Sequence, residues 1–143
     1  MDGVVVGIDG SENSLDALRF AAQEAQLRDL ALHVVGTYTT PIMSTGYELA
    51  VPDPDDLDAA AGQTLEAAVH VVRSEGLLEG IEYDLVAMEG HAGERLITAS
   101  QNATLLVVGS RGHGGFMGLL LGSVTTYVVN HASCPVAVVR HAD

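Results

Sequence analysis

No lysine occurs among the 143 residues of this chain, whose six basic residues are Arg19, Arg28, Arg73, Arg95, Arg111 and Arg140. A Walker A loop needs its lysine on the phosphates, a pyridoxal enzyme a Schiff-base lysine and a kinase a strand lysine beside its nucleotide, so all three are excluded. Against the six arginines stand 19 Asp and Glu, a formal net charge of -13. So acidic a surface repels a phosphate backbone at long range, and the clustered Lys and Arg of counterion-release binding are missing, so nucleic acid is not an expected partner. The single cysteine, Cys134, cannot make an internal disulfide. A chain of this size buries about 70% of its unfolded surface and needs neither disulfide nor metal to hold a core. Neither a Gly-x-Ser-x-Gly elbow nor a His-Glu-x-x-His pair occurs, which leaves ordinary hydrolase chemistry without equipment. No apolar run approaches the roughly 20 residues of a membrane span. Met1-Asp2-Gly3 leads into an apolar strand without a basic n-region, so a cytoplasmic location is expected.

What is present has the rhythm of an α/β protein. Val4-Val5-Val6-Gly7-Ile8 is a continuous apolar run stopping at Asp9-Gly10-Ser11, which suits a strand buried on both faces. Ser11 to Ser14 offers N-caps, and Leu15, Leu18, Ala22 and Ala25 recur at helical spacing as far as Arg28. Leu30 to Tyr38 reads as a strand, and the polar, proline-bearing stretch from Thr39 to Pro54 as a long loop of the kind that is often functional. Asp55 to Ser74 predicts a second helix, with Leu57, Ala61, Leu65, Ala68 and Val72 inward and Asp55, Asp56 and Asp58 where carboxylates complement the helix dipole. Tyr83 to Met88 is then a strand, Gly93 to Ser100 a short helix, Leu105 to Val108 a buried strand, Ser123 to His131 a helix and Pro135 to Val139 a last strand. The order βαβαβαβαβ predicts one domain over residues 1–143, a five-stranded parallel sheet doubly wound by helices on both faces. Ligands in such folds bind beyond the carboxyl ends of the strands.

Two segments leave those ends with ligand chemistry: Asp9-Gly10-Ser11, and the run from Gly109 to Gly122, which carries six glycines. Glycines let the backbone approach an anion, a helix N-terminus presents unpaired N–H groups, and the Ser123 hydroxyl adds a donor, so the second segment suits phosphate. Arg111 and His113 are its only side chains able to carry positive charge. Backbone N–H groups and a divalent metal would therefore share the neutralisation of a polyphosphate.

Gly109, two residues, Gly112, nine residues, then Gly122-Ser123 resembles the ATP-binding signature of universal stress proteins. The likeness extends to Val-Gly-Ile-Asp-Gly-Ser at the start, Leu-His-Val at Leu32, Leu-Leu-Val-Val-Gly-Ser-Arg-Gly after Thr104 and His-Ala-Ser-Cys-Pro-Val-Ala-Val-Val-Arg near the end. Thr104 stands where the family often has Asp. The resemblance implies a Rossmann-like domain akin to the adenine nucleotide alpha hydrolases, holding ATP between the first and fourth strands with Mg2+ or Mn2+ on the phosphate oxygens. By the family's pattern Asp9 would contact the ribose, the Val34 main chain the adenine edge, and Gly109 would sit by the ribose. Gly112, Gly122, Ser123 and the Val124 N–H would hold the phosphates. It also implies a homodimer paired through Pro135 to Val139, which would cover an exposed edge strand.

These residues also have plainer readings. Asp9 can cap a turn, Arg111 and His113 can be solvated loop residues, and the glycine run can be a flexible connection. His33 is expected to be a packed or rim histidine, Cys134 a small buried hydrophobe, and His70, His91, His131 and His141 lack zinc-site spacing. The leading expectation is a nucleotide-dependent sensor or regulator in a stress response. Its alternatives are a slow ATPase or nucleotidyl-transfer enzyme and a dimeric adaptor without nucleotide.

Overall fold

The computed structural model describes residues 1–40, 53–112 and 121–141. The expected loop from Thr39 to Pro54 lies largely outside them, and His113 wholly so. The elements follow the expected order: β1 (Val4–Gly7), α1 (Glu12–Arg28), β2 (Leu32–Tyr38), α2 (Pro54–Ser74), β3 (Tyr83–Glu89), α3 (Ala92–Ala99), β4 (Leu105–Gly109), α4 (Ser123–His131) and β5 (Val136–Val139). All pairings are parallel, in the order β3-β2-β1-β4-β5. The apolar run of β1 is explained by its central place, where each face is covered by helices. Val4 and Val6 pack with Ala17, Leu18, Leu65 and Val69 of α1 and α2, whereas Val5 points the other way, towards Leu96 of α3 and Val128 of α4. Alternation along one strand thus feeds two cores, and each buried Val or Leu contributes about 1.5–3 kcal/mol.

The element bounds differ from the sequence reading only at their ends, while in α2 Leu57 and Ala61 are half-buried and Val69 joins Leu65, Ala68 and Val72 in the core. The first strand stops at Gly7, not Ile8, although the Ile8 N–H still donates to the Val35 carbonyl at 2.8 Å. The second begins at Leu32, because Leu30 closes the end of α1 through its N–H to the Ala25 carbonyl at 2.9 Å. α1 is capped by Ser11, whose hydroxyl accepts from the Ser14 N–H, and ends at Asp29 in the left-handed region. α2 starts with Pro54 after an Asp53 cap that accepts from the Asp55 N–H at 3.0 Å. Arg19 ties the two helices by bonding Glu75 at 2.8 Å as well as Asp16 at 3.0 Å.

Gly62 lies within α2, and outside the helix's own backbone no atom of the described residues comes within 4 Å of where its Cβ would be. Gly62→Ala should therefore gain helix propensity with no steric cost, about 1 kcal/mol, and raise the melting temperature by about 3 °C. Thermal unfolding by circular dichroism checks this, and a fall in melting temperature would contradict the open surroundings of Gly62.

Candidate functional site

The chain leaves β1 towards β2 on one side and leaves β4 towards β5 on the other, so the connections diverge between two adjacent strands. Such a switch point opens a crevice at the carboxyl edge. A cavity of about 770 Å3 lies there, in the range of small-molecule sites. Gly7 and Gly109, the last residues of β1 and β4, line its floor. Neither position has room for more. A Cβ on Gly7 would lie 2.9 Å from Leu96 Cδ1, and one on Gly109 would lie 2.9 Å from Asn13 Cγ.

The two described ends of the glycine-rich segment are tied to each other and to the sheet. The Gly122 N–H donates to the Ser110 carbonyl at 2.8 Å, closing the base of the loop. Thr125 fastens α4 to the end of β4, its hydroxyl donating to the Gly109 carbonyl at 2.6 Å. Gly122 is the N-cap of α4 and offers no side chain to the first turn. The first intrahelical bond is from the Thr126 N–H to the Gly122 carbonyl at 2.9 Å. The N–H groups of Ser123, Val124 and Thr125 therefore have no partner within the helix, and all three residues line the cavity. Their partial positive charge makes that end of the cavity receptive to an anion.

Asp9 follows β1 and lines the same cavity. One carboxylate oxygen, Oδ1, accepts from the Ser11 N–H at 2.9 Å and from the Ser11 hydroxyl at 2.6 Å, an Asx turn leading into α1. The other, Oδ2, lies where a Cβ on residue 112 would be 2.4 Å away, so Gly112 is packed against Asp9. Arg111 also lines the cavity, with its side chain exposed.

Of the residues singled out in the sequence, Asp9, Gly109, Arg111, Gly112, Gly122, Ser123 and Val124 thus come together around one cavity. Two findings modify that set. The Gly122 N–H is committed to Ser110, so Gly122 acts as a hinge pin of the loop. Val34 is fully buried in the α1–α2 core and sits inside the ladder, in register with Val6 and Leu85. It does not line the cavity, whereas Val35 and Thr37, on the opposite face, do. Register with β1 ends at Gly7↔Val35, so β2 runs on through Gly36 to Tyr38 paired with β3 alone. Its β1-facing side there opens on the crevice.

Sequence reading missed Thr37, Thr125 and the α4 residues Tyr127, Asn130 and His131, which extend the cavity wall. Tyr127 and His131 stack at 4.2 Å, and α3 approaches so closely that a Cβ on Gly93 would lie 2.6 Å from the Tyr127 ring. The signal available was the four-residue spacing from Ser123 to Tyr127, which puts both on one face of α4. The remaining candidates lie elsewhere. His33 has Asp84 Oδ1 at 2.6 Å from Nδ1 and the Asp2 carbonyl at 2.7 Å from Nε2, so both ring nitrogens are engaged. Cys134 is half-buried against the α3–α4 core. Among the described residues no group of three His, Cys, Asp or Glu is placed to hold a metal, and no helix is long and apolar enough to cross a membrane.

The all-parallel sheet, the helices on both faces and the cavity at the switch point define a doubly wound, Rossmann-like α/β protein. A model of the universal stress protein family matches residues 1–140, and the chain belongs to that family. Universal stress protein Rv2624c of Mycobacterium tuberculosis is 37% identical over 143 residues, covering 98% of this chain and 48% of that protein. The chain thus spans about half the length of such curated relatives. Among solved structures, a universal stress protein in complex with cAMP shares 24% identity at a TM-score of 0.69, covering 99% of this chain and 98% of its own. The universal stress protein of Archaeoglobus fulgidus in complex with dAMP shares 24% identity at 0.71, covering 97% and 98%.

Proposed function

We propose that this chain binds ATP, as its Mg2+ or Mn2+ complex, and serves as a nucleotide-dependent sensor or regulator in a cytoplasmic stress response. The observation that carries the reading is the uncapped first turn of α4 opening on a glycine-floored cavity. In a chain of net charge -13 this is a local patch of hydrogen-bond donors, which a polyphosphate needs and a neutral metabolite does not. The Ser123, Val124 and Thr125 N–H groups, Gly112, Arg111 and His113 take the phosphates, and Asp9 and Gly109 the ribose. The base lies against the open end of β2, where the Thr37 main chain joins that of Val34 in offering contacts to the adenine. Support comes from the universal stress proteins of the same fold that bind cAMP and dAMP. A divalent metal ion would be held with the nucleotide's phosphates, as magnesium commonly is, and would supply positive charge against them. Binding is favoured over turnover because Asp9 is tied into its turn by two Ser11 bonds. β5 is the edge beyond β4, and a second copy pairing along Val136–Val139 is the matching oligomer.

The test is the melting temperature of nucleotide-free protein with ATP and Mg2+, beside AMP and cAMP. Ligand at about 100 times its dissociation constant adds about 2.7 kcal/mol, a rise of several degrees. No rise with any of the three would overturn the reading and leave an adaptor without nucleotide.

A further inference from the structure

We infer that Asn13, which does not line the cavity, is the positioning residue that sets the Ser110–Arg111 peptide and the N-cap of α4 for phosphate; this rests on the nucleotide reading above. Asn13 lies in the first turn of α1, is 7% exposed, and covers Gly109 at the end of β4. Its carboxamide makes three bonds at once. Nδ2 donates to the Val139 carbonyl of β5 at 3.0 Å, which fixes the orientation of the amide and turns Oδ1 towards the loop. Oδ1 then accepts from the Ser110 hydroxyl at 3.1 Å and from the Arg111 N–H at 2.8 Å.

The Arg111 bond matters most, because that N–H belongs to the peptide group whose carbonyl is Ser110's. The same carbonyl accepts from the Gly122 N–H at 2.8 Å. One peptide plane is thus held at both ends, by Asn13 on its N–H and by the N-cap of α4 on its oxygen. Rotation of that plane would carry the N-cap with it and re-aim the open first turn of α4. The chain of control runs from Asn13 through the Ser110–Arg111 peptide to Gly122 and the N–H groups of Ser123 and Val124. An aspartate would put a carboxylate against the Val139 carbonyl, and an apolar side chain would strand the buried Ser110 hydroxyl and the partly buried Arg111 N–H, so the amide is the group that fits.

A residue that aims donors at phosphate should affect ligands in proportion to their phosphate. The experiment measures dissociation constants for Mg-ATP and for adenosine on wild type, Asn13→Ala and Asn13→Ser. Asn13→Ser keeps a polar group with too short a reach to span Arg111 and Val139, and guards against loss of folding in the alanine variant. In each variant that melts above the titration temperature, ATP should bind about tenfold more weakly, the loss expected for one or two hydrogen bonds, with adenosine within about twofold of wild type. Equal weakening of both ligands marks a merely structural role and overturns the inference, as does unchanged ATP binding. ATP that fails to bind wild type overturns the nucleotide reading and this inference with it.

Discussion

Gly112→Val should abolish most of the ATP-dependent rise in melting temperature while lowering the melting temperature of the unliganded protein by about 4 °C at most, about 1 kcal/mol for the exposed Asp9–Ser11 bonds it disturbs. Residue 112 is exposed and outside both cores, so the fold has little to lose. The site has more to lose. A Cβ there would lie 2.4 Å from Asp9 Oδ2, and Asp9 cannot swing aside without giving up its two bonds to Ser11. Either Asp9 leaves the position argued for the ribose or the loop lifts away from α4, and both outcomes separate groups that one nucleotide must touch together. A tenfold weaker site cuts the stabilisation at a fixed ligand concentration from about 2.7 to about 1.4 kcal/mol, and a hundredfold weaker one to about 0.4 kcal/mol. Gly122 makes the useful contrast. A Cβ on it would meet Arg111 Cα at 3.4 Å and the Gly112 nitrogen at 3.6 Å, so Gly122→Ala should keep most of the shift. A full shift in Gly112→Val would remove Asp9 and Gly112 from the proposed site.

The parallel fold could be read from the sequence because its cause is local. Val4 to Val6 are apolar at every position, which only a strand covered on both faces explains, and the helical spacing of α1 and α2 separates them cleanly from the strands. The cavity wall was legible where glycine is required, since the absence of side chains at Gly109 and Gly112 is written in the sequence itself. Long-range hydrogen bonds were not. Asn13 reads as one more polar residue in a helix start, and its partners at Ser110, Arg111 and Val139 lie 97 to 126 residues away. Which side of β2 faces the crevice was equally hidden. Alternation says that Val34 and Val35 point to opposite faces, but only the helix crossovers decide which face is the α3–α4 side, and so which side chains of β2, those of Val35 and Thr37, line the cavity. The same limit applies to Gly122, whose donor reads as available until Ser110 is seen to accept it.

Gly3→Ala should be the most damaging of the substitutions considered, lowering the melting temperature by about 10 °C through a loss of about 3 kcal/mol. Gly3 is buried just before β1 with φ at 97°, in the region that a side chain strongly disfavours. Its Cβ would lie 2.5 Å from the Ala31 carbonyl oxygen, a backbone atom that already accepts from the Val4 N–H at 2.9 Å and cannot withdraw without breaking that bond. The Gly3 carbonyl in turn accepts from the Thr104 N–H at 2.8 Å, so one residue fixes the entry of β1 against the segments leading into both β2 and β4. Strain from the backbone angle costs about 1–2 kcal/mol and the overlap a further 1–3 kcal/mol. The effect is opposite in sign to that of Gly62→Ala, although both changes add one methyl group, because Gly62 has empty space and a helical backbone where Gly3 has a carbonyl and a left-handed one. Because Gly3 lies at the amino edge of the sheet, ATP affinity measured well below the lowered transition should stay within about twofold of wild type, as distant sites act independently. A melting temperature within about 2 °C of wild type would mean that β1 does not enter the sheet through this contact, whereas a large fall with intact binding would separate what holds the sheet together from what holds the nucleotide.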